Sequence, residues 1–206
     1  QGTQGVSGDT IKLGSSFPQS GLYSAYAEIS KGYEAYFKYV NANGGVNGKK
    51  IEIITKDDQY DSGKTKSNTQ ELTQKDNVFA MFNVVGTASN LAIRDDLGEE
   101  CIPNLFAATG SQLMGNPAKY PWLIGSIPTY ATESAIFADY LKTNKPNAKV
   151  AILAQNDDLG TGYTAAFKKA IEGTGITVVK EEKYNSTDPD VKSQITTLSS
   201  SGADTA

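Results

Sequence analysis

Two stretches hold the residues best placed for chemistry. Val84-Val85-Gly86-Thr87-Ala88-Ser89-Asn90 and Leu105-Phe106-Ala107-Ala108-Thr109-Gly110-Ser111 each begin as a short apolar run and change abruptly to small residues bearing hydroxyls. The first leads into a helical pattern from Leu91 onward. A strand that ends in Gly-Thr and turns into a helix leaves backbone N–H groups and hydroxyls aimed at one spot, beside the positive end of a helix dipole worth roughly half a charge. A carboxylate fits such a spot. Two successive parallel strands ending this way put both loops at the carboxyl edge of the sheet, where open α/β folds bind small molecules. Ser, Thr and Asn also cap helices, so residue type alone leaves Thr87, Ser89 and Ser111 open to either role.

The elements that would position these loops follow from hydrophobic period and turn residues. Ile11 to Gly14 reads as a strand, followed by the turn Ser15 to Gly21. Ile29, Tyr33, Tyr36, Phe37 and Val40 recur at helical spacing, and Asn43-Gly44-Gly45 supplies the stop. Ile51 to Ile54 is the next strand, ending in the acidic loop Lys56-Asp57-Asp58-Gln59-Tyr60-Asp61, whose spacing is not that of a calcium-binding EF-hand. A helix over 62–75, a strand over 78–85, a helix to about Glu99 and a strand over 103–106 complete a strict alternation, the pattern of a parallel sheet with helices on both faces. Asn116 to Pro121 breaks the rhythm and reads as passage to a second lobe, giving residues 1–120 as a first lobe and 121–206 as the start of another. Beyond it come a strand over 122–127, a helix over 130–143, a strand over 149–155, a helix over 163–172, a strand over 176–180 and a helix over 190–200. Asn156 to Gly162 is again a polar loop before a helix, and Asp157 and Asp158 either face a cleft there or cap that helix. Gly202 to Ala206 reads as the opening of one more strand, so the chain is expected to be a fragment of a longer protein.

Composition narrows the functions. The chain has 206 residues, no histidine and one cysteine, Cys101, read as a small, partly buried thiol before a strand. Without histidine, imidazole bases, the usual triads and His-containing zinc sites are missing from this sequence. A formal charge of −4, with basic residues scattered rather than clustered, argues against nucleic acid as a partner. No Gly-x-Gly-x-x-Gly opens the first helix, and Gly63-Lys64-Thr65 lacks the upstream glycine of a P-loop, with Gln59 in its place. No catalytic residue, metal or cofactor is expected. Gln1 to Asp9 is a polar, Gly-rich lead-in, as in a mature or trimmed product.

The succession Ile11-Lys12-Leu13-Gly14, Pro18-Gln19-Ser20-Gly21, Asn41 through Gly44-Gly45 and Gly48 to Ile51, and then the Asp57-Asp58 loop resembles the type I periplasmic binding proteins. It is most similar to the leucine/isoleucine/valine-binding group that serves ABC importers, and the likeness runs over essentially the whole chain. It implies an α/β fold of two doubly wound parallel-sheet lobes, the second incomplete here, with roughly the last two-fifths of the family's length missing. Carried over by position, the family's carboxylate site falls on Gly86 and Thr87, and on Thr109 with Ser111. Tyr26 matches the aromatic residue that closes over the ligand. Leu159, before Gly160, stands where amino-acid binders usually present an aromatic. Tyr60 and Gly86 occupy positions that some leucine-binding relatives join by a disulfide. The acidic residue that would hold an α-ammonium is expected beyond Ala206.

The resemblance therefore implies an extracytoplasmic protein, in the periplasm or at the cell surface as a lipoprotein. As a monomer it would capture a small carboxylate- or amide-bearing ligand between two lobes: an amino acid, amide or aromatic carboxylate, with a branched-chain amino acid or related compound the leading choice. It would close by a hinge near residues 116–122 and present the ligand to the membrane permease of an ABC transporter. A ligand-sensing domain of a receptor or regulator on the same fold is the alternative.

Overall fold

The computed structural model describes residues 4–206, which divide into two compact units. The first comprises residues 4–109 with 113–127, the second 110–112 with 128–206. The strands of the first unit are β1 (Val6–Ser7), β2 (Thr10–Phe17), β3 (Lys50–Asp57), β4 (Ala80–Phe82), β5 (Asn104–Ala107) and β6 (Leu123–Gly125), interleaved with α1 (Glu28–Ala42), α2 (Ser62–Gln74) and α3 (Thr87–Glu99). The sheet runs β3-β2-β4-β5-β6, every neighbour parallel, with β1 antiparallel beside the start of β2. After β2 the chain goes to one side for β3 and to the other for β4. That reversal is a topological switch point, and in open α/β sheets ligands bind outside the carboxyl ends of the strands at such points.

Two apolar layers hold this sheet. Leu72, Val78, Met81, Val84, Ile93, Leu97 and Ile102 pack together on the α2–α3 side, all buried. Leu13, Phe37 and Ala80 form the opposite layer with Tyr33, Ile53 and Phe82. Asn43 caps α1 and Gly44 and Gly45 follow at φ +96° and +70°, the left-handed stop expected from their residue types.

Several boundaries differ from the sequence reading for identifiable reasons. β2 continues through Ser15, Ser16 and Phe17, all buried and paired with β3, where a turn is expected from Ser15. β4 is only three residues long because Asn83 takes φ +52°; Val84 and Val85 continue as an isolated parallel bridge from Val85 to Ala108. The turn Asn116–Pro121 stays inside the first unit, Tyr120 donating its N–H to the Asn116 carbonyl at 2.7 Å. β6 beyond it joins β5, so the first unit extends to Ile127 rather than ending at residue 120. Cys101 is exposed at φ +55° in the turn after α3, while the next residue, Ile102, enters the core.

In the second unit β7 (Lys149–Gln155) pairs in parallel with β8 (Thr177–Tyr184), and α4 (Tyr130–Asn144), α5 (Asp158–Ala170) and α6 (Lys192–Ser199) accompany them. Ala138, Leu141, Val150, Phe167, Ile171 and Ile176 make its core. Thr205 bridges Val150 in parallel on the chain's last residues, consistent with a further strand opening there. α5 begins at Asp158, not Tyr163. The Asp157 carboxylate accepts the N–H groups of Leu159 and Gly160, which makes it the helix cap. At Gly160 a Cβ would lie 1.9 Å from the Gln155 carbonyl oxygen, so this glycine serves close helix–strand packing rather than a loop.

Candidate functional site

α3 begins at Thr87, four residues before the expected Leu91, and its cap is Gly86 at φ +104°, ψ +146°. A glycine cap has no side chain to lay across the helix N-terminus. Thr87 is 1% exposed, and its hydroxyl lies 2.7 Å from that of Thr109, which follows β5. The two hydroxyl loops therefore do converge at the carboxyl edge of the sheet, beside the positive end of α3. Ser89 is not the cap of α3, and its hydroxyl lies 2.9 Å from that of Thr65 on α2.

The turn is held in shape from beneath by a residue the sequence reading passed over. Asn90 is fully buried, and its amide donates to the carbonyls of Val84 and Gly86, both at 2.8 Å. Its own oxygen accepts from the Asn104 amide at 2.9 Å, which ties β5 to the same turn.

The acidic loop is a second support. Gln59 and Tyr60 both take left-handed backbone, φ +54° and +64°, unusual for residues with side chains. Two carboxylates stabilise that shape: Asp57 accepts the Gln59 N–H at 3.0 Å and Asp58 the Tyr60 N–H at 2.9 Å. Asp58 also accepts the hydroxyls of Ser16 at 2.9 Å and Thr65 at 3.0 Å, while Asp61 caps α2 through the Lys64 N–H. All three acids of the loop thus hold local structure. The Tyr60 ring they position lies against Gly86, its Cε2 being 3.0 Å from where a Cβ would stand. It stacks on Tyr23 with centroids 4.3 Å apart, and lies within 5° of parallel to Tyr26 at 6.4 Å. Tyr26 sits in the short 3-10 turn Ser24–Ala27 ahead of α1, 41% exposed.

Asp57 and Asp58, adjacent in sequence, titrate in opposite directions. Burial pushes the Asp58 carboxyl above the ordinary 3.8, outweighing its hydrogen bonds and reinforced by the neighbouring Asp57 charge. Burial also acts on Asp57, but hydrogen bonds from the Ser20 hydroxyl and from the Gln19 and Gln59 N–H groups pull that carboxyl below 3.8. Asp57 therefore contributes stability that is present above the unfolded value and is lost as pH falls through its folded value. Asp58 does the reverse, contributing below 3.8 and losing that contribution as pH rises to its folded value. Carbon-detected NMR titration should show two side-chain midpoints straddling 3.8, with Asp58 the higher; the opposite order would overturn this assignment.

The remaining expected residues lie in the second unit. Ser111 is 8% exposed in the segment Gly110–Gln112. Leu159 is in the first turn of α5 and lines an apolar pocket of about 620 Å³ with Phe137, Tyr163 and Phe167. Among the described residues no group of three or more His, Cys, Asp or Glu is arranged to hold a metal ion, and no helix is long and apolar enough to cross a membrane.

The family model described as periplasmic binding protein matches residues 10–206. The chain is 27% identical over 198 residues to the Leu/Ile/Val-binding protein homolog 3 of Brucella melitensis, covering 94% of this chain and 52% of that protein. It is 23% identical to the leucine-, isoleucine-, valine-, threonine- and alanine-binding protein of Pseudomonas aeruginosa, covering 96% and 52%. Among solved structures, an ABC-transporter solute-binding protein of Rhodopseudomonas palustris BisB5, in complex with 3,4-dihydroxybenzoic acid, superposes with a TM-score of 0.83 at 28% identity, covering 96% of this chain and 53% of that one. A fatty acid ABC transporter substrate-binding protein of Thermomonospora curvata gives 0.86 at 27%, covering 97% and 51%. The chain spans about half the length of the relatives it matches. It belongs to the periplasmic binding protein family, as a type I member of the leucine/isoleucine/valine-binding kind.

Proposed function

We propose that this chain is the ligand-docking part of an extracytoplasmic solute-binding protein of an ABC importer, which takes a small carboxylate- or amide-bearing ligand and hands it to a membrane permease without chemical change. The observation that carries the reading is the Thr87–Thr109 hydroxyl pair, 2.7 Å apart at the N-terminus of α3 and at the carboxyl edge of the sheet. Two hydroxyls, the adjoining N–H groups and a helix dipole match the two oxygens of a carboxylate, and hydrogen bonds to a charged group contribute about 1.5–3 kcal/mol each. The names of the relatives support the solute class, since they refer to leucine, isoleucine, valine, threonine and alanine in one case and to a dihydroxybenzoic acid in another. Those are properties of the relatives. Binding without catalysis accords with a site built from threonines, a glycine and tyrosines.

The test is isothermal titration of the complete natural protein, stripped of bound ligand by unfolding and refolding, against leucine, small amides and benzoate-type acids. Tight binding of one class, weakened roughly tenfold or more in Thr87→Val, is expected. Binding that is indifferent to Thr87→Val would remove the proposed seat.

A further inference from the structure

We propose that capture of an anionic ligand at this seat is coupled to uptake of a proton by Asp58, a positioning residue that sets the affinity of the seat through its neighbours. The inference rests on the carboxylate-seat reading above and adds to it the group that regulates binding.

Asp58 is 0% exposed. Its Oδ2 accepts the hydroxyls of Ser16 at 2.9 Å and Thr65 at 3.0 Å, and its Oδ1 accepts the Tyr60 N–H at 2.9 Å. Two of these bonds lead to the turn that begins α3. Through Thr65 the carboxyl is two hydrogen-bond lengths from the Ser89 hydroxyl, which lies in the first turn of α3 and 3.5 Å from where a Cβ of Gly86 would stand. Through Tyr60 it holds the ring that rests on Gly86. A buried acid and the Thr87–Thr109 pair thus share one helix N-terminus.

Among the described residues no lysine or arginine is paired with this acid. Lys56 on β3 is held by Glu71 and Asp76, and Lys64 reaches Gln59 from the exposed side of α2. On its own loop Asp57 adds a second negative charge and Tyr60 a phenol, while Asp61 is exposed and caps α2. β2 brings the Ser16 hydroxyl, α2 the Thr65 hydroxyl and the Asn68 amide, and α3 the Ser89 hydroxyl. A ligand carboxylate seated on α3 puts a like charge into the same poorly solvated corner, which disfavours an ionised Asp58. Burial already holds that carboxyl above 3.8, so a proton from solvent neutralises it more readily than it would an exposed aspartate.

The hydrogens of the network allow for this change. Thr65 has one hydroxyl hydrogen and three acceptors within 3.0 Å: the Asp58 carboxylate, the Asp61 carbonyl and the Ser89 hydroxyl. An ionised Asp58 is the strongest of the three and claims it. A protonated Asp58 brings a hydrogen of its own, which releases that of Thr65 to Ser89 and removes the buried charge behind the seat. By linkage, whatever the ligand does to the proton, the proton does to the ligand.

The experiment is calorimetric titration of the complete natural protein, wild type and Asp58→Asn, with leucine, benzoate and the uncharged benzamide, at about pH 7.5 and about pH 5.5, where both carboxylates remain ionised. The carboxylate that binds should bind wild type roughly threefold more tightly at the lower pH, and benzamide should not respond. Asp58→Asn, which fixes the neutral, hydrogen-donating state, should bind that carboxylate about tenfold more tightly than wild type at the higher pH and lose the pH dependence. A residue that merely shapes the loop would give the opposite, a loss of affinity. Folded Asp58→Asn that binds the carboxylate no more tightly than wild type would overturn the coupling and leave the Thr87→Val test of the seat in force. If Asp58→Asn does not fold, wild type decides by carbon-detected NMR: saturation with the carboxylate should raise the Asp58 midpoint by about one pH unit, and an unmoved midpoint would overturn the coupling. Binding of benzamide alone would keep the threonine pair as a seat but remove the charge that drives proton uptake. Failure of folded wild type to bind any of the three would sink both the seat and the inference built on it.

Discussion

Replacement of Asn90 by leucine is expected to lower the unfolding free energy by about 2–4 kcal/mol and to weaken ligand capture even where the protein remains folded. Leucine repeats asparagine's branched skeleton with bulkier methyl groups, so the effect is not that of a cavity. It comes from stranded polar groups. The Asn90 amide satisfies the Val84 and Gly86 carbonyls at 2.8 Å each, and its oxygen takes a donor from Asn104 at 2.9 Å, in surroundings where Asn90 is 0% and Asn104 2% exposed. Each buried group left without a partner costs about 1–3 kcal/mol. Gly86 keeps its backbone bond from the Asn90 N–H and Val84 keeps that from the Ala108 N–H at 2.9 Å, which limits their shares, so the Asn104 amide carries most of the loss. Asn90→Asp would keep the acceptor for Asn104 but lose both donors and add a buried charge, so it should be at least as damaging. Urea unfolding followed by circular dichroism measures the loss, and a change below about 1 kcal/mol would show that these bonds do not fix the turn.

Asn90 also shows where sequence patterns stop being informative. The alternation of strands and helices was legible because buried parallel strands leave short apolar runs and helices leave a periodic face. So was the convergence of Thr87 and Thr109, since both follow strands of one parallel sheet and must emerge at the same edge. The start of α3 was not. Thr87 and Asn90 are helical and buried, but their polar side chains are satisfied by Thr109, Val84, Gly86 and Asn104. A hydrophobic pattern registers such residues as loop, and the helix seems to begin at Leu91. The same error shortens α5, where Gly160 reads as a loop residue although its lack of a side chain serves packing on Gln155. Tyr60 was hidden for another reason. Its position depends on left-handed backbone set by carboxylates next to it in the chain and by Ser16 and Thr65, which reach Asp58 from other elements. Asn116 to Pro121 carries every mark of a boundary, yet the strand beyond it pairs with β5, and pairing across such a turn leaves no trace in local composition.

Gly86→Ala is expected to weaken binding by about 5- to 150-fold while leaving most of the fold intact, the range that corresponds to roughly 1–3 kcal/mol of backbone strain. Gly86 sits at φ +104°, ψ +146°, at the edge of the region that glycine alone occupies. An added Cβ would also stand 3.0 Å from Cε2 of Tyr60 and 3.5 Å from the Ser89 hydroxyl. Relief requires the turn to rotate or the Tyr60 ring to move, and either displaces one wall of the site relative to the Thr87–Thr109 pair. The Asn90 bonds resist rotation of the turn, so the ring is the softer element and should move first. That order gives the prediction a second readout. If the ring moves, the near-ultraviolet circular dichroism of the stacked Tyr23, Tyr26 and Tyr60 rings should change, whereas a rotated turn would misplace the carboxylate seat and leave the ring stack as it is. Retention of wild-type affinity would mean that neither the glycine backbone nor its contact with Tyr60 bears on the site.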